Sequence, residues 1–242
     1  MTAQLPLLPD DTFQRILCVV AHPDDLEYGT SAAIAKWTDQ GIEVAYLLLT
    51  KGEAGMPNPP HETAAIRRGE QEAACATVGV TDLTMLDHPD GMLVYSLDLR
   101  RDIALQIRRF RPDVVLTTAF DVEVSWGLNQ ADHRAAGLAT IDAVRDAGNP
   151  WVFSEQVSDG ILLPHSPKWL LVASANKPTH GIAVTVEHLN RGIASLKAHE
   201  QYLAALPWHP NPEEFMPPFF QEEGASIGAE YGIVFQAFDL GS

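Results

Sequence analysis

The sequence predicts an α/β fold in which a mostly parallel sheet carries helices on both faces. Three observations lead there. Short apolar runs rich in β-branched residues recur along the 242 residues, and such continuous runs mark strands buried on both faces. Segments with apolar residues at helical spacing lie between them. The two kinds of segment alternate, which is the order that produces a parallel sheet. There is no internal repeat, low-complexity stretch or linker, so the expectation is one domain over residues 1–242. Its core spans about 15–205, with an irregular extension from about Pro207.

The first strand is RILCVVA, Arg15 to Ala21, and residues 29–41 form a helix stopped at Gly41. Glu43 to Thr50 (EVAYLLLT) is a second buried strand, followed by the Gly/Pro-rich loop KGEAGMPNPP. Residues 62–80 place Ala65, Ile66, Ala73, Ala74 and Val78 at helical spacing, and Gly79 ends that helix. LTMLDHPDG carries a short third strand into a polar loop. Residues 97–112 form a helix with Ile103, Ile107 and Phe110 on one stripe, ending before Pro112. DVVLTTAF (113–120) is the fourth strand and residues 131–148 the next helix. KWLLVAS and GIAVTV are later strands, residues 187–206 a last long helix, and YGIVFQAFDL a strand closing a Pro-rich tail.

Composition narrows the function classes. A formal charge of −16, from 32 acidic and 16 basic residues, repels nucleic acid and anionic membranes. The sequence contains no run of about 18 apolar residues and no signal-peptide pattern at its start. The two cysteines, Cys18 and Cys75, sit in apolar segments and read as buried free thiols of a cytoplasmic protein.

In open α/β sheets ligands bind beyond the carboxyl ends of the strands. Four polar loops leave strand ends here: HPDDLE, TKGEAG, DHPDG and FDVEVSWGLNQADH. In AHPDD, His22 and Asp25 stand three apart on a Pro-restricted turn. Imidazole nitrogen and carboxylate oxygen both suit Zn²⁺, and Asp24 between them is free to act as a base. An N-capping Asp beside a hydrogen-bonded His fits the same fragment. His133 opens the helix after the fourth strand. A His/Asp/His set with an open position is the pattern of a catalytic zinc site, although ADHR taken alone fits an Asp-capped helix better.

AHPDDLE, LTKGEAG, RRGEQEAA with VGV, DHPDG and ADHRAAG together resemble the LmbE-like, or PIG-L, family of zinc-dependent de-N-acetylases, in motif order from about residue 15 to 205. The resemblance implies a Rossmann-like sheet and a zinc-dependent hydrolase. The reaction implied removes an acyl group, taken as acetyl, from the amide nitrogen of an amino-sugar small molecule such as an N-acetylglucosamine derivative. It implies His22, Asp25 and His133 as metal ligands, Asp24 as general base, and Arg67 and Asp90 as substrate contacts. An i,i+3 pair of Arg67 with Glu70, and a turn role for Asp90, fit those two residues as well. His199 in LKAHEQ is read as structural.

One departure stands out. Many relatives read H-P-D-H where this chain has Gln130-Ala131-Asp132-His133. Gln130 can donate a hydrogen bond to an oxyanion but no proton near neutral pH. Either Gln130 stabilises charge while Asp24 doubles as the acid, or His165, His180 or His209 reaches in. Asp132, counted with Asp24 and Gln130 among the catalytic residues that the resemblance implies, is left without that imidazole partner and is expected to steady His133. Trp126 offers an aromatic face to a sugar ring. Acidic loops favour a neutral or cationic substrate over a phosphorylated one. The rival function is a metal-containing binder of a glycoside or amide that has lost catalysis. A nucleotide-binding role is disfavoured because no Gly-rich phosphate motif follows the first strand. Self-association is left open by the sequence.

Overall fold

The computed structural model describes residues 4–241. Strands β1 (Arg15–Val20), β2 (Glu43–Leu48), β3 (Asp82–Met85), β4 (Val114–Thr118) and β7 (Trp169–Ala173) alternate with helices α1 (Ser31–Asp39), α2 (Pro60–Val78), α3 (Leu97–Phe110) and α4 (Ala131–Gly148). A small hairpin, β5 (Glu123–Val124) and β6 (Gly127–Leu128), lies between β4 and α4. Then come β8 (His180–Val184), α5 (Val186–Lys197), α6 (Glu200–Ala204), α7 (Pro212–Ile227) and β9 (Tyr231–Asp239). The seven-stranded sheet has the order β3-β2-β1-β4-β7-β9-β8. Its first five strands run parallel, and β9 is antiparallel to both neighbours.

Strand periodicity divides the core in two. Ile16, Cys18 and Val20 of β1 face a layer with Ile34, Trp37, Leu189, Met216 and Phe220 from α1, α5 and α7. Leu17 and Val19 face the opposite layer, with Ile103, Ile107, Ala139 and Ala143 from α3 and α4. Each layer buries one apolar helix stripe against one sheet face, which is the packing that the sequence pattern predicts.

Two expectations are corrected. The tail beyond Pro207 is regular: α7 is sixteen residues long and β9 sits inside the sheet. Its prolines read as breakers, but Pro212 occupies the first turn, where a missing N–H costs little. Asn211 caps that turn, its Oδ1 accepting from the Glu213 N–H at 3.1 Å. Pro217 and Pro218 are tolerated because Met216, Phe220, Gly224 and Ile227 form a buried stripe. The last long helix is also broken. It stops at Lys197 and restarts as α6, whose first N–H groups, those of Gln201 and Tyr202, donate to the Glu70 carboxylate.

From β1, the chain order runs outward to β2 and β3 on one side and to β4 and β7 on the other. The crevice beyond the C-terminal ends of β1 and β4 is the switch point at which such sheets bind ligands.

Candidate metal centre

The turn after β1 delivers His22, Asp24 and Asp25, and the first turn of α4 delivers Asp132 and His133. Asp25 folds back so that its Oδ2 accepts from the His22 backbone N–H at 2.8 Å. This leaves Asp25 Oδ1 facing His133 Nε2 at 3.0 Å and His22 Nδ1 at 3.6 Å. The three residues each place a donor atom within 4.8 Å of the others. Nitrogen and oxygen donors bound tetrahedrally at 2.0–2.1 Å lie ~3.3 Å apart, so the two separations bracket what one ion requires.

The far side of each imidazole fixes its tautomer. His133 Nδ1 lies 2.9 Å from Asn129 Oδ1 and donates to it, because that amide's nitrogen already donates to the Ala119 and Asp121 carbonyls. His22 Nε2 lies 3.0 Å from Asp90 Oδ1 and 3.3 Å from Asp132 Oδ2. With those outer nitrogens protonated, the lone pairs of His22 Nδ1 and His133 Nε2 turn toward Asp25 Oδ1. Without an ion a ring proton can bridge to Asp25; with both inner nitrogens deprotonated, two imidazoles and a carboxylate are a donor set for a divalent ion.

His22, Asp90 and Asp132 also cluster, but they form a tighter internal network. Asp132 accepts the Gly91 and Leu93 N–H groups at 2.8 and 3.1 Å, and Asp90 Oδ2 accepts that of Ala54 at 2.7 Å. This second group therefore steadies His22.

Electrostatics agrees with cation binding. Burial opposes the His22 imidazolium, yet Asp25, Asp132 and Asp90 overcome it and hold the pKa well above the usual value. Burial likewise works against a charged His133, and Asp25 outweighs it. Asp25 is buried too, but the imidazoles pull its carboxyl far below the usual range. Asp24 moves the other way. Burial raises it more than the Arg67 guanidinium lowers it.

Asp24 has φ +80°, a left-handed conformation that a non-glycine residue adopts at a cost. Its Oδ1 pairs with Arg67 Nη2 at 3.2 Å, while its buried Oδ2 has no hydrogen-bond partner. Arg67 is 2 % exposed. It also donates to the Pro23 carbonyl and stacks on Tyr202, 3.6 Å from the ring centre. Gly52 in the loop after β2 permits this packing: a Cβ there would sit 3.3 Å from Arg67 Nε and 3.0 Å from Pro23 Cδ.

The sequence model of the PIG-L family, described as GlcNAc-PI de-N-acetylase, matches residues 17–144. The diacetylchitobiose deacetylase of Thermococcus kodakarensis is 32% identical over 203 residues, covering 83% of this chain and 74% of that protein. The chain belongs to the PIG-L family.

A probable N-acetyl-alpha-D-glucosaminyl L-malate deacetylase of Bacillus anthracis is 28% identical, over 79% of this chain and 82% of its own. Among solved structures, the N,N'-diacetylchitobiose deacetylase of Pyrococcus horikoshii superposes with a TM-score of 0.83 at 27% identity. The superposition covers 96% of this chain and 86% of that one. The seven-stranded, mostly parallel sheet is thus the fold of this PIG-L relative.

Within this PIG-L chain the remaining expected site residues fare differently. Arg67 is no surface arginine paired with Glu70; it is buried against Asp24, and Glu70 caps α6 instead. Asp90, expected to hold substrate, engages both oxygens inside the protein, on His22 and Ala54. Asp132, expected to act in catalysis and to steady His133, has an imidazole partner after all, but it is His22. Gln130 is exposed at the N-terminus of α4, and its side chain does not cap the helix. Trp126, between β5 and β6, is 59 % exposed. His165 bonds the Pro112 carbonyl at the opposite end of β4, and His180 packs on Trp169, so neither reaches the crevice. His209 bonds the Tyr28 hydroxyl at 2.8 Å, just beyond the first turn. His199 is fully buried with neither ring nitrogen partnered, and burial and Arg67 push its pKa down to about 3.

Asn129, Gln71, Glu27 and Tyr202 escaped the sequence reading. Asn129 lies two residues before α4 and Gln71 directly follows Glu70 of RRGE, but the sequence does not say which side chain each would face.

Proposed function

We propose that this chain is a zinc-dependent N-deacetylase that hydrolyses the acyl amide of an N-acetylated amino-sugar small molecule. The observation that supports it most is the convergence of His22 Nδ1, Asp25 Oδ1 and His133 Nε2, with both outer ring nitrogens occupied. The relatives' names, diacetylchitobiose deacetylase and the glucosaminyl L-malate deacetylase, give the substrate class. His22, Asp25 and His133 would hold the ion. When bound, zinc supplies Lewis acidity, polarising the acyl carbonyl and lowering the pKa of water to about 7.

The chain's own groups do the rest. Asp24 Oδ2, buried and unpartnered, takes the proton of the attacking water. Arg67 keeps Oδ1 occupied, so the proton goes to the free oxygen. The raised pKa of Asp24 brings it closer to the working pH, as general acid–base work requires. Protonated Asp24 then returns the proton to the leaving amine, because Gln130 has none to give. Gln130 donates to the developing oxyanion, Arg67 lies beside the substrate, and Trp126 offers its face to a sugar. Products are a carboxylate and a free amine.

The acidic loops favour an uncharged or cationic sugar. The 242 residues are read as one catalytic domain. The buried free thiols of Cys18 and Cys75 fit the cytoplasm. No helix among the described residues is long and apolar enough to cross a membrane.

The test measures amine release from N-acetylglucosamine and N,N'-diacetylchitobiose, with and without chelator. Asp24→Asn should keep its metal and lose at least ~10²-fold in kcat. Full turnover in Asp24→Asn, or turnover indifferent to chelation, overturns the proposal.

A further inference from the structure

The Asp24 peptide is held from a direction that the metal ligands do not explain. Its N–H donates to Gln71 Oε1, on α2, at 3.0 Å. Its carbonyl accepts the Glu27 N–H at 2.9 Å. Gln71 cannot turn its amide over. Its Nε2 donates to Glu27 Oε1 at 2.9 Å, so Oε1 is the atom left for Asp24. Glu27 in turn receives Ser195 Oγ of α5 at 3.4 Å. Gln71, Glu27 and Ser195 are all buried, so water offers no substitute for these contacts. A left-handed conformation strains a non-glycine residue by about as much as one intramolecular hydrogen bond contributes. The single bond from Gln71 is therefore large enough to decide which backbone conformation Asp24 adopts.

We infer that Gln71, clamped by Glu27, is a positioning residue for the reaction: it locks the Asp24 peptide left-handed and so aims the free Oδ2 at the reacting centre. This rests on the reading of Asp24 as the base. Helix α2 thus serves the first turn twice, through Arg67 on the Asp24 carboxylate and through Gln71 on its peptide. Gln71 touches neither ion nor substrate in this role.

The test compares wild type, Gln71→Met, Asp24→Asn and the double variant. Gln71→Met should keep its metal stoichiometry and leave KM within about two-fold, while kcat falls ~10- to 100-fold. On the Asp24→Asn background the same substitution should cost nothing further, whereas a merely structural role would multiply through. Metal-free crystal structures give a readout independent of activity: Asp24 φ stays positive in wild type and turns negative in Gln71→Met. The exchange Gln71→Glu with Glu27→Gln restores an acceptor for the Asp24 N–H and a donor for residue 71's second oxygen, and should recover most of the loss. If Gln71→Met does not fold, Gln71→Asn, one methylene too short to reach, is measured in the same way.

Wild-type kcat in Gln71→Met alongside an inactive Asp24→Asn overturns the inference, as does an Asp24 φ that stays positive without Gln71. A fully active Asp24→Asn instead overturns the assignment of the base, and the crystallographic φ still decides the positioning.

Discussion

Replacing Arg67 with Met should destabilise the metal-free protein by an amount that grows with pH. Arg67 Nη2 and Asp24 Oδ1 are 3.2 Å apart and both residues are buried. At an effective dielectric constant near 20, that separation corresponds to ~5 kcal/mol of attraction. Losing one partner of a buried pair typically costs ~3–5 kcal/mol, because the other charge is left behind. Asp24 has an escape: it can take up a proton. Its folded-state pKa is already raised by burial against the opposing pull of Arg67, and removing Arg67 raises it further. A carboxyl whose folded pKa lies above its unfolded one contributes stability at low pH, which is lost as pH rises through the folded value. The variant keeps losing stability after the wild type has levelled off. We expect a deficit that is smaller at pH 5 than at pH 8, where it should reach ~3 kcal/mol. Urea denaturation of both proteins, with chelator present, measures it at each pH. An equal deficit at pH 5 and pH 8, or a smaller one at pH 8, refutes the reasoning.

Asn129→Leu removes the acceptor that fixes the His133 tautomer, and zinc affinity measured by chelator competition should fall ~10- to 100-fold. His22 and His133 have raised pKa values without metal, so ion binding must expel protons. Affinity should drop between pH 8 and pH 6, and calorimetry in buffers of different ionisation enthalpy should register proton release. Neutral His199, held down to about 3, contributes stability that is present above pH 6.5 and lost as pH falls toward 3. That slope is ~1.4 kcal/mol per pH unit, and His199→Leu should remove it from the denaturation midpoints between pH 6 and pH 4.5. Arg108 gathers the carbonyls of Asp146, Ala147 and Asn149 at the end of α4 and of Val152 and Phe153 beyond it. Arg108→Met leaves these acceptors unpaired and should cost ~3 kcal/mol in thermal or urea unfolding.

The sheet was legible in the sequence because each strand announced itself in its own residues. RILCVV and EVAYLL are apolar on both faces, and Gly79 marks the end of α2 within a single residue. The tail was misread for an equally local reason. Prolines at 212, 217 and 218 look like breakers, and only the buried stripe from Met216 to Ile227 against the sheet stabilises that helix. The insertion of β9 between β7 and β8 has no local signal, because an antiparallel partner is chosen by which edge remains free.

The same division runs through the site. The sequence offered His22, Asp25 and His133 as candidate ligands and Asp24 as the acid beside them: spacing on one turn suggested the first pair, and the resemblance to the PIG-L pattern supplied His133 and the role of Asp24. Only the tertiary structure decided that Asp132 serves His22, that Asn129 serves His133, and that Arg67 and Gln71 cross from α2 to Asp24. Apart from Asn129 and His133, which are four residues apart, those pairings join residues up to 110 positions apart. Hydrogen bonds across such separations depend on how helices settle on the sheet, and no periodicity within one segment encodes that.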